Sequence, residues 1–185
     1  MNLFLFDLIS GLSRKNFILD GAGVFFAEYV PYLLILGFFW ILFRQPEWRR
    51  RLFFLSEAAI AVILSRGLIT EIIRFFYYSP RPFEFLYFQS FIPESGSSFP
   101  SGHAAFYFAL AAIIFFYNRR WGIWYFVISL LIGVARIFVG VHWPLDIVAG
   151  SVIGVLCGLL VHRFLLDYFK NIKSRSPFSA NEPAS

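Results

Sequence analysis

Charge is scarce in this chain: Asp, Glu, Lys and Arg make up 15% of its 185 residues, against 59% hydrophobic and 22% aromatic. A soluble domain carries about 25% charged residues, so a water-facing globule is excluded and an integral membrane protein is expected. Cysteine is almost absent. The single Cys157 lies inside an apolar run, so no disulfide can form within the chain, and small-residue packing is its expected role. The basic residues, 16 against 11 acidic ones, gather at the ends of apolar runs instead of spreading over a face. That pattern argues for membrane topology and against a nucleic-acid partner.

What the chain has in quantity is apolar length. Runs near the roughly 20 residues that cross a bilayer lie at 24–43, 52–73, 101–117, 121–141 and 147–166. The expected fold is all-α, a polytopic transmembrane bundle of about five to six helices. The segment 1–17, "MNLFLFDLISGLSRKNF", is too short to span and has no basic residue ahead of its apolar part, so it reads as an interfacial helix rather than a cleaved signal. Glu57, Arg66 and Glu71 stand inside the second run, where pairing within the bundle is their expected use. Glu71 also lies one turn before Arg74 and is placed to position it. Residues 1–170 are expected to form a single transmembrane domain, and 171–185, rich in Ser and Pro, a disordered tail.

Charge bias orients the bundle. Arg44, Arg49, Arg50 and Arg51 follow the first run, Arg119 and Arg120 the third, and Arg163, Lys170, Lys173 and Arg175 the last. In a five-span chain these segments share one side, expected to be the cytoplasmic one. The loop 74–100 and the turn 142–146 then face outward across a cell membrane, and only Arg14 and Lys15 run against the rule.

On that outer face the polar residues converge. "RFFYYSPRPF" brings Arg74 and Arg81, "PSGH" brings Ser101, Gly102 and His103 at the entry of the third run, and "ARIFVGVHWPLD" brings Arg136, His142 and Asp146. Three arginines suit a tetrahedral oxyanion, because a guanidinium is a permanently charged planar fork of donors. The start of the third helix adds free N–H groups and its positive dipole end at Ser101 and Gly102. Two histidines beside such an anion supply nucleophile, acid and base candidates. The set contains no paired carboxylates of the kind a magnesium cluster needs, so neither metal nor cofactor is expected.

These three blocks resemble the signature motifs of the type 2 phosphatidic acid phosphatase superfamily: a basic residue, six positions and Arg-Pro; Pro-Ser-Gly-His; and Ser-Arg, five positions, His, three positions, Asp. Arg74 stands where the family usually has lysine, and Ala135 where it usually has the serine before the arginine. The resemblance implies a lipid phosphatase in which His142 attacks phosphorus to form a phosphohistidine and Asp146 orients it. It implies that His103 protonates the leaving oxygen and then activates water, while Arg74, Arg81, Ser101, Gly102 and Arg136 bind the phosphate oxygens. The N-terminal stretch is similar to bacterial undecaprenyl-diphosphatases of this superfamily, which implies hydrolysis of undecaprenyl diphosphate outside the membrane during carrier-lipid recycling for the cell wall. Other lipid phosphates remain open as substrates, among them phosphatidylglycerol phosphate, phosphatidate and lipid A 1-phosphate. From a different class, so does an anion-binding membrane protein or transporter subunit.

Overall fold

Asn16, Ser101 and Asn118 mark where three of the long helices begin, each with its side-chain oxygen accepting an otherwise unpaired amide of the first turn: Ile18 N–H at 2.9 Å, Ala104 N–H at 3.4 Å and Trp121 N–H at 3.1 Å. A computed structural model describes residues 2–175. Its helices are α1 (Asn2–Ser10), α2 (Phe17–Phe43), α3 (Trp48–Phe76), the short α4 (Pro82–Phe85), α5 (Gly102–Tyr117), α6 (Arg119–Phe138) and α7 (Pro144–Arg175). Among the described residues no strand occurs, in line with the expected all-α bundle. The last helix takes in residues 171–175, and the remainder of the expected tail, 176–185, lies outside the described residues.

By length and composition, α2, α3, α6 and the 144–166 part of α7 suffice to cross a membrane. The 16-residue α5 is shorter, about 24 Å at 1.5 Å per residue. It is the helix that the others enclose: Ala104, Ala105, Ala109, Ala111, Ile113 and Ile114 are all buried, against α3, α6 and α7. A helix so largely enclosed by its neighbours need not match the bilayer by itself. Its seam with α7 rests on small residues. Gly150, Gly154 and Gly158 recur every four positions on α7 and face Ala105, Ala109 and Ala112. A Cβ at Gly154 would come within 2.5 Å of the Ala105 carbonyl oxygen and 2.8 Å of the Ala109 nitrogen. Gly154→Val is therefore expected to force α5 and α7 apart, costing about 3 kcal/mol or more, measurable as a lower unfolding temperature in detergent.

Two helices carry a turn of wider π geometry, at Phe25–Tyr29 in α2 and Ile63–Ile69 in α3. The first has a cause in sequence: Pro31 has no N–H, so the Ala27 carbonyl one turn earlier loses its helical donor. Arg136 takes that carbonyl instead, at 3.4 Å. In α3 the Ser65 carbonyl accepts from both Thr70 N–H and Thr70 Oγ1, and the Ser65 hydroxyl donates across to the Ala105 carbonyl.

The first two basic clusters meet at one end of the bundle, where Arg50 lies over the Tyr117 ring and Trp40 meets Trp121 edge-on. The 77–100 loop, the 139–143 turn and α1 meet at the other. There Phe6 of α1 packs against Phe88 and Trp143, and Asn2 accepts the Leu145 N–H. Arg14 and Lys15 ran against the charge rule, and Arg14 shows why a cation is tolerated: its guanidinium sits over Phe88 and Phe91 and donates to the Gln89 carbonyl.

Candidate active site

A buried histidine in a membrane helix bundle needs a partner, and His142 has one. Its Nδ1 lies 3.3 Å from Asp146 Oδ2, and both residues are buried. The pair is four residues apart because Gly140, at φ 85°, ends α6, and Asp146 falls in the first turn of α7. Asp146 is itself held: Oδ2 accepts the Trp143 N–H at 2.8 Å, and its carbonyl accepts the Ser101 N–H at 3.0 Å. A carboxylate only accepts, so the imidazole proton sits on Nδ1 and Nε2 keeps its lone pair. Burial above all, then the charges of Arg136 and Arg81, hold the His142 imidazole well below its usual range.

His142 faces a cavity of about 270 Å³ whose charged wall consists of Arg66, Arg74, Arg81, Arg136 and Glu94, with His103 and Gly102 beside them. Arg136 is 2% exposed. Besides the Ala27 carbonyl, its Nη1 reaches His103 Nε2 at 3.4 Å, and its Nη2 pairs closely with Glu94 Oε1. Arg74 of α3 donates from Nη2 to the Pro100 carbonyl at 3.0 Å and stands 3.7 Å from Glu71, the carboxylate one turn before it. Glu71 also pairs closely with Arg66. Arg66 lies directly over Gly102, where a Cβ would meet its Nε at 2.3 Å, so any side chain there would push this guanidinium aside.

Arg81 differs from the other arginines. It is 2% exposed, and its donors are largely committed to backbone: Nε to Gly96 O and Nη1 to Val141 O, both at 3.0 Å, and Nη2 to Ser95 O at 3.1 Å. Nη2 also stands 3.3 Å from Glu94 Oε2. Burial, opposed by Glu94, lowers the Arg81 pKa, yet a guanidinium stays charged. At Glu94 burial would raise the carboxyl, but Arg136 and Arg81 outweigh it and hold it below the ordinary carboxylate range.

The structure thus brings Arg74, Arg81, Gly102, His103, Arg136 and His142 to one cavity. Ser101 and Asp146 stand behind that wall, Ser101 capping α5 and Asp146 backing His142. Two further residues of the site escaped the sequence reading. Arg66 was expected to pair inside the bundle; it does pair with Glu71, but at the cavity. Glu94 carried no signal beyond being an acid in a polar loop. Glu57, grouped with Arg66 and Glu71 in the sequence, belongs elsewhere: it pairs with His162 at 3.0 Å, under the stacked ring of Phe116.

Residues 57–170 match the PAP2 superfamily. The chain belongs to that superfamily. It is 36% identical over 167 residues to the undecaprenyl-diphosphatase BcrC of Bacillus subtilis (strain 168), covering 89% of this chain and 84% of the relative. Among solved structures, LpxE of Aquifex aeolicus superposes with a TM-score of 0.73 at 28% identity, covering 88% of this chain and 94% of that one. A PAP2-type phosphatidylglycerolphosphate phosphatase from Bacillus subtilis shares the fold, with a TM-score of 0.60 at 22% identity, over 89% of this chain and 86% of that one. This PAP2 protein is accordingly a multi-pass membrane phosphatase of lipids, a hydrolase of phosphate ester or anhydride bonds.

Proposed function

We propose that this PAP2 phosphatase hydrolyses undecaprenyl diphosphate to undecaprenyl phosphate and inorganic phosphate at the outer face of the cell membrane, recycling the carrier lipid for wall synthesis. The observation that carries the reading is the buried His142–Asp146 pair facing an arginine-walled cavity from which an apolar groove departs. Ile35 and Phe106 line both spaces, and the groove continues past Phe38, Leu55, Val62 and Leu110 between α2 and α3. A long hydrocarbon chain in that groove would leave its diphosphate among the arginines. The likeness to BcrC supports the same substrate.

In this reading Nε2 of His142 attacks the terminal phosphorus. A P–N bond forms as the bridging P–O bond breaks, and the electron pair leaves on the lipid monophosphate, which His103 protonates. Water then attacks the phosphohistidine, His103 takes its proton, and the P–N pair returns to His142. Arg74, Arg81 and Arg136 hold the equatorial oxygens, Gly102 and the α5 terminus add N–H groups, and Ser101 keeps that terminus in place. An anhydride suits the site because its leaving group is already a stabilised anion, which demands less of the acid than an alkoxide does. No step requires a metal or cofactor.

The likeness to a lipid A 4′-phosphatase of Porphyromonas gingivalis, 28% identical over 176 residues, supports a second reading, another lipid phosphate as substrate. Purified protein offered undecaprenyl diphosphate, phosphatidylglycerol phosphate, phosphatidate and lipid A 1-phosphate in mixed micelles separates the two. The expected result is a kcat/KM at least about tenfold higher for the polyprenyl diphosphate, equivalent to about 1.4 kcal/mol. Equal or better turnover of a glycerolipid would replace this choice of substrate.

A further inference from the structure

Glu94 is the acid in the cavity lining, and it stands between two of the cavity's arginines. Its Oε1 pairs closely with Arg136 Nη2 while its Oε2 lies 3.3 Å from Arg81 Nη2, so one carboxylate spans both forks. Two oxygens set between two guanidiniums have the shape and sign of two oxygens of a phosphoryl group. Arg81 is otherwise tied to the carbonyls of Ser95, Gly96 and Val141, and Arg136 Nη1 to Ala27 and His103, so the donors that Glu94 takes, with the unpartnered Arg136 Nε, are the ones a ligand could claim. Glu94 is also free to leave. It sits in the 86–101 loop rather than on a helix, is 24% exposed, and lines a second cavity of about 230 Å³ beside Glu28 and Tyr32.

We propose that Glu94 is a built-in competitor for the phosphate position, which a ligand must displace in order to bind, and that it thereby sets the affinity of the site. The inference rests on the reading of the arginines as the phosphate cradle. Displacement costs every ligand the same two charge-assisted contacts, but ligands differ in what offsets it. A lipid diphosphate also gains the apolar groove between α2 and α3, whereas inorganic phosphate has only its charge. Glu94 therefore discriminates against the freed product and drives its release.

The competing account, in which Glu94 merely positions the two arginines, predicts the opposite sign. Removing a competitor tightens phosphate binding, and removing a support loosens it. The test is product inhibition by inorganic phosphate of the full-length protein in detergent, comparing wild type, Glu94→Gln and Glu94→Asp, each with its thermal unfolding recorded. Glu94→Gln is expected to bind phosphate about tenfold more tightly, and Glu94→Asp, which keeps the charge, to return toward wild type. An inhibition constant for Glu94→Gln that is unchanged or weaker overturns the proposal while leaving the cradle intact. If phosphate inhibits none of the three, the cradle reading fails and the proposal falls with it.

Discussion

His142→Ala is expected to lower phosphate release from a lipid diphosphate roughly 10,000-fold, leaving only what the arginine cradle and substrate binding supply. On the proposed mechanism no other change should remove as much, because His142 accepts the phosphoryl group itself and no neighbour can take its place. Asp146 is turned to Nδ1 and to the Trp143 amide, and His103 lies against Arg136. Wild-type protein quenched in mid-turnover should carry an acid-labile, base-stable phosphate, and the variant should carry none. His142 is 1% exposed, so truncation also leaves a hole; His142→Gln, closer in volume, should fold like wild type and be equally inactive. Retention of a tenth of the activity by either variant would remove His142 from the role.

The same residue fixes a pH signature. The attacking form is the neutral imidazole, so activity falls as pH drops through its pKa. Burial first, and the nearby Arg136 and Arg81 next, lower that pKa from the ordinary 6.5, which moves the acid-side loss of kcat/KM to lower pH. The acid limb should therefore be centred below 6.5, and a limb centred at or above that value would contradict the assignment.

The groups legible in the sequence were those whose presence in apolar surroundings demands a reason. Arg136 near the end of a span, His142 and Asp146 on a short turn, and Ser101 before an alanine-rich helix announce themselves because a charge or hydroxyl at that depth costs free energy without a partner. The spans were legible for the converse reason, although Asp20 and two glycines hid the first two turns of α2, which Asn16 caps from outside. Glu94 was not legible, since an acid in a polar loop needs no explanation until the loop is seen to fold back over Arg136. Nor was the link from Pro31 to the site, in which a missing N–H on one helix frees a carbonyl for an arginine on another. The four-residue glycine repeat on α7 was open to view, but its alanine partners on α5 are set only by tertiary packing.

Arg81→Lys is the second large effect, and it should act through stability as much as through chemistry. The guanidinium donates from three different nitrogens to three separate carbonyls, Gly96 O, Val141 O and Ser95 O. An ammonium keeps the charge but gathers its donors at one point, so at least one of these buried carbonyls loses its partner. The expected cost is about 2–4 kcal/mol, seen as a lower unfolding temperature in detergent. Activity should fall with it, by about 100-fold or more, because the Val141 carbonyl belongs to the residue before His142 and the 94–96 segment presents Glu94. Arg136→Lys gives the contrast: its carbonyl contact with Ala27 is single and longer, so its loss should fall on phosphate affinity more than on stability. If Arg81→Lys melted like wild type and merely bound phosphate more weakly, Arg81 would serve the phosphate alone and would not be the clamp that holds the loop over the site.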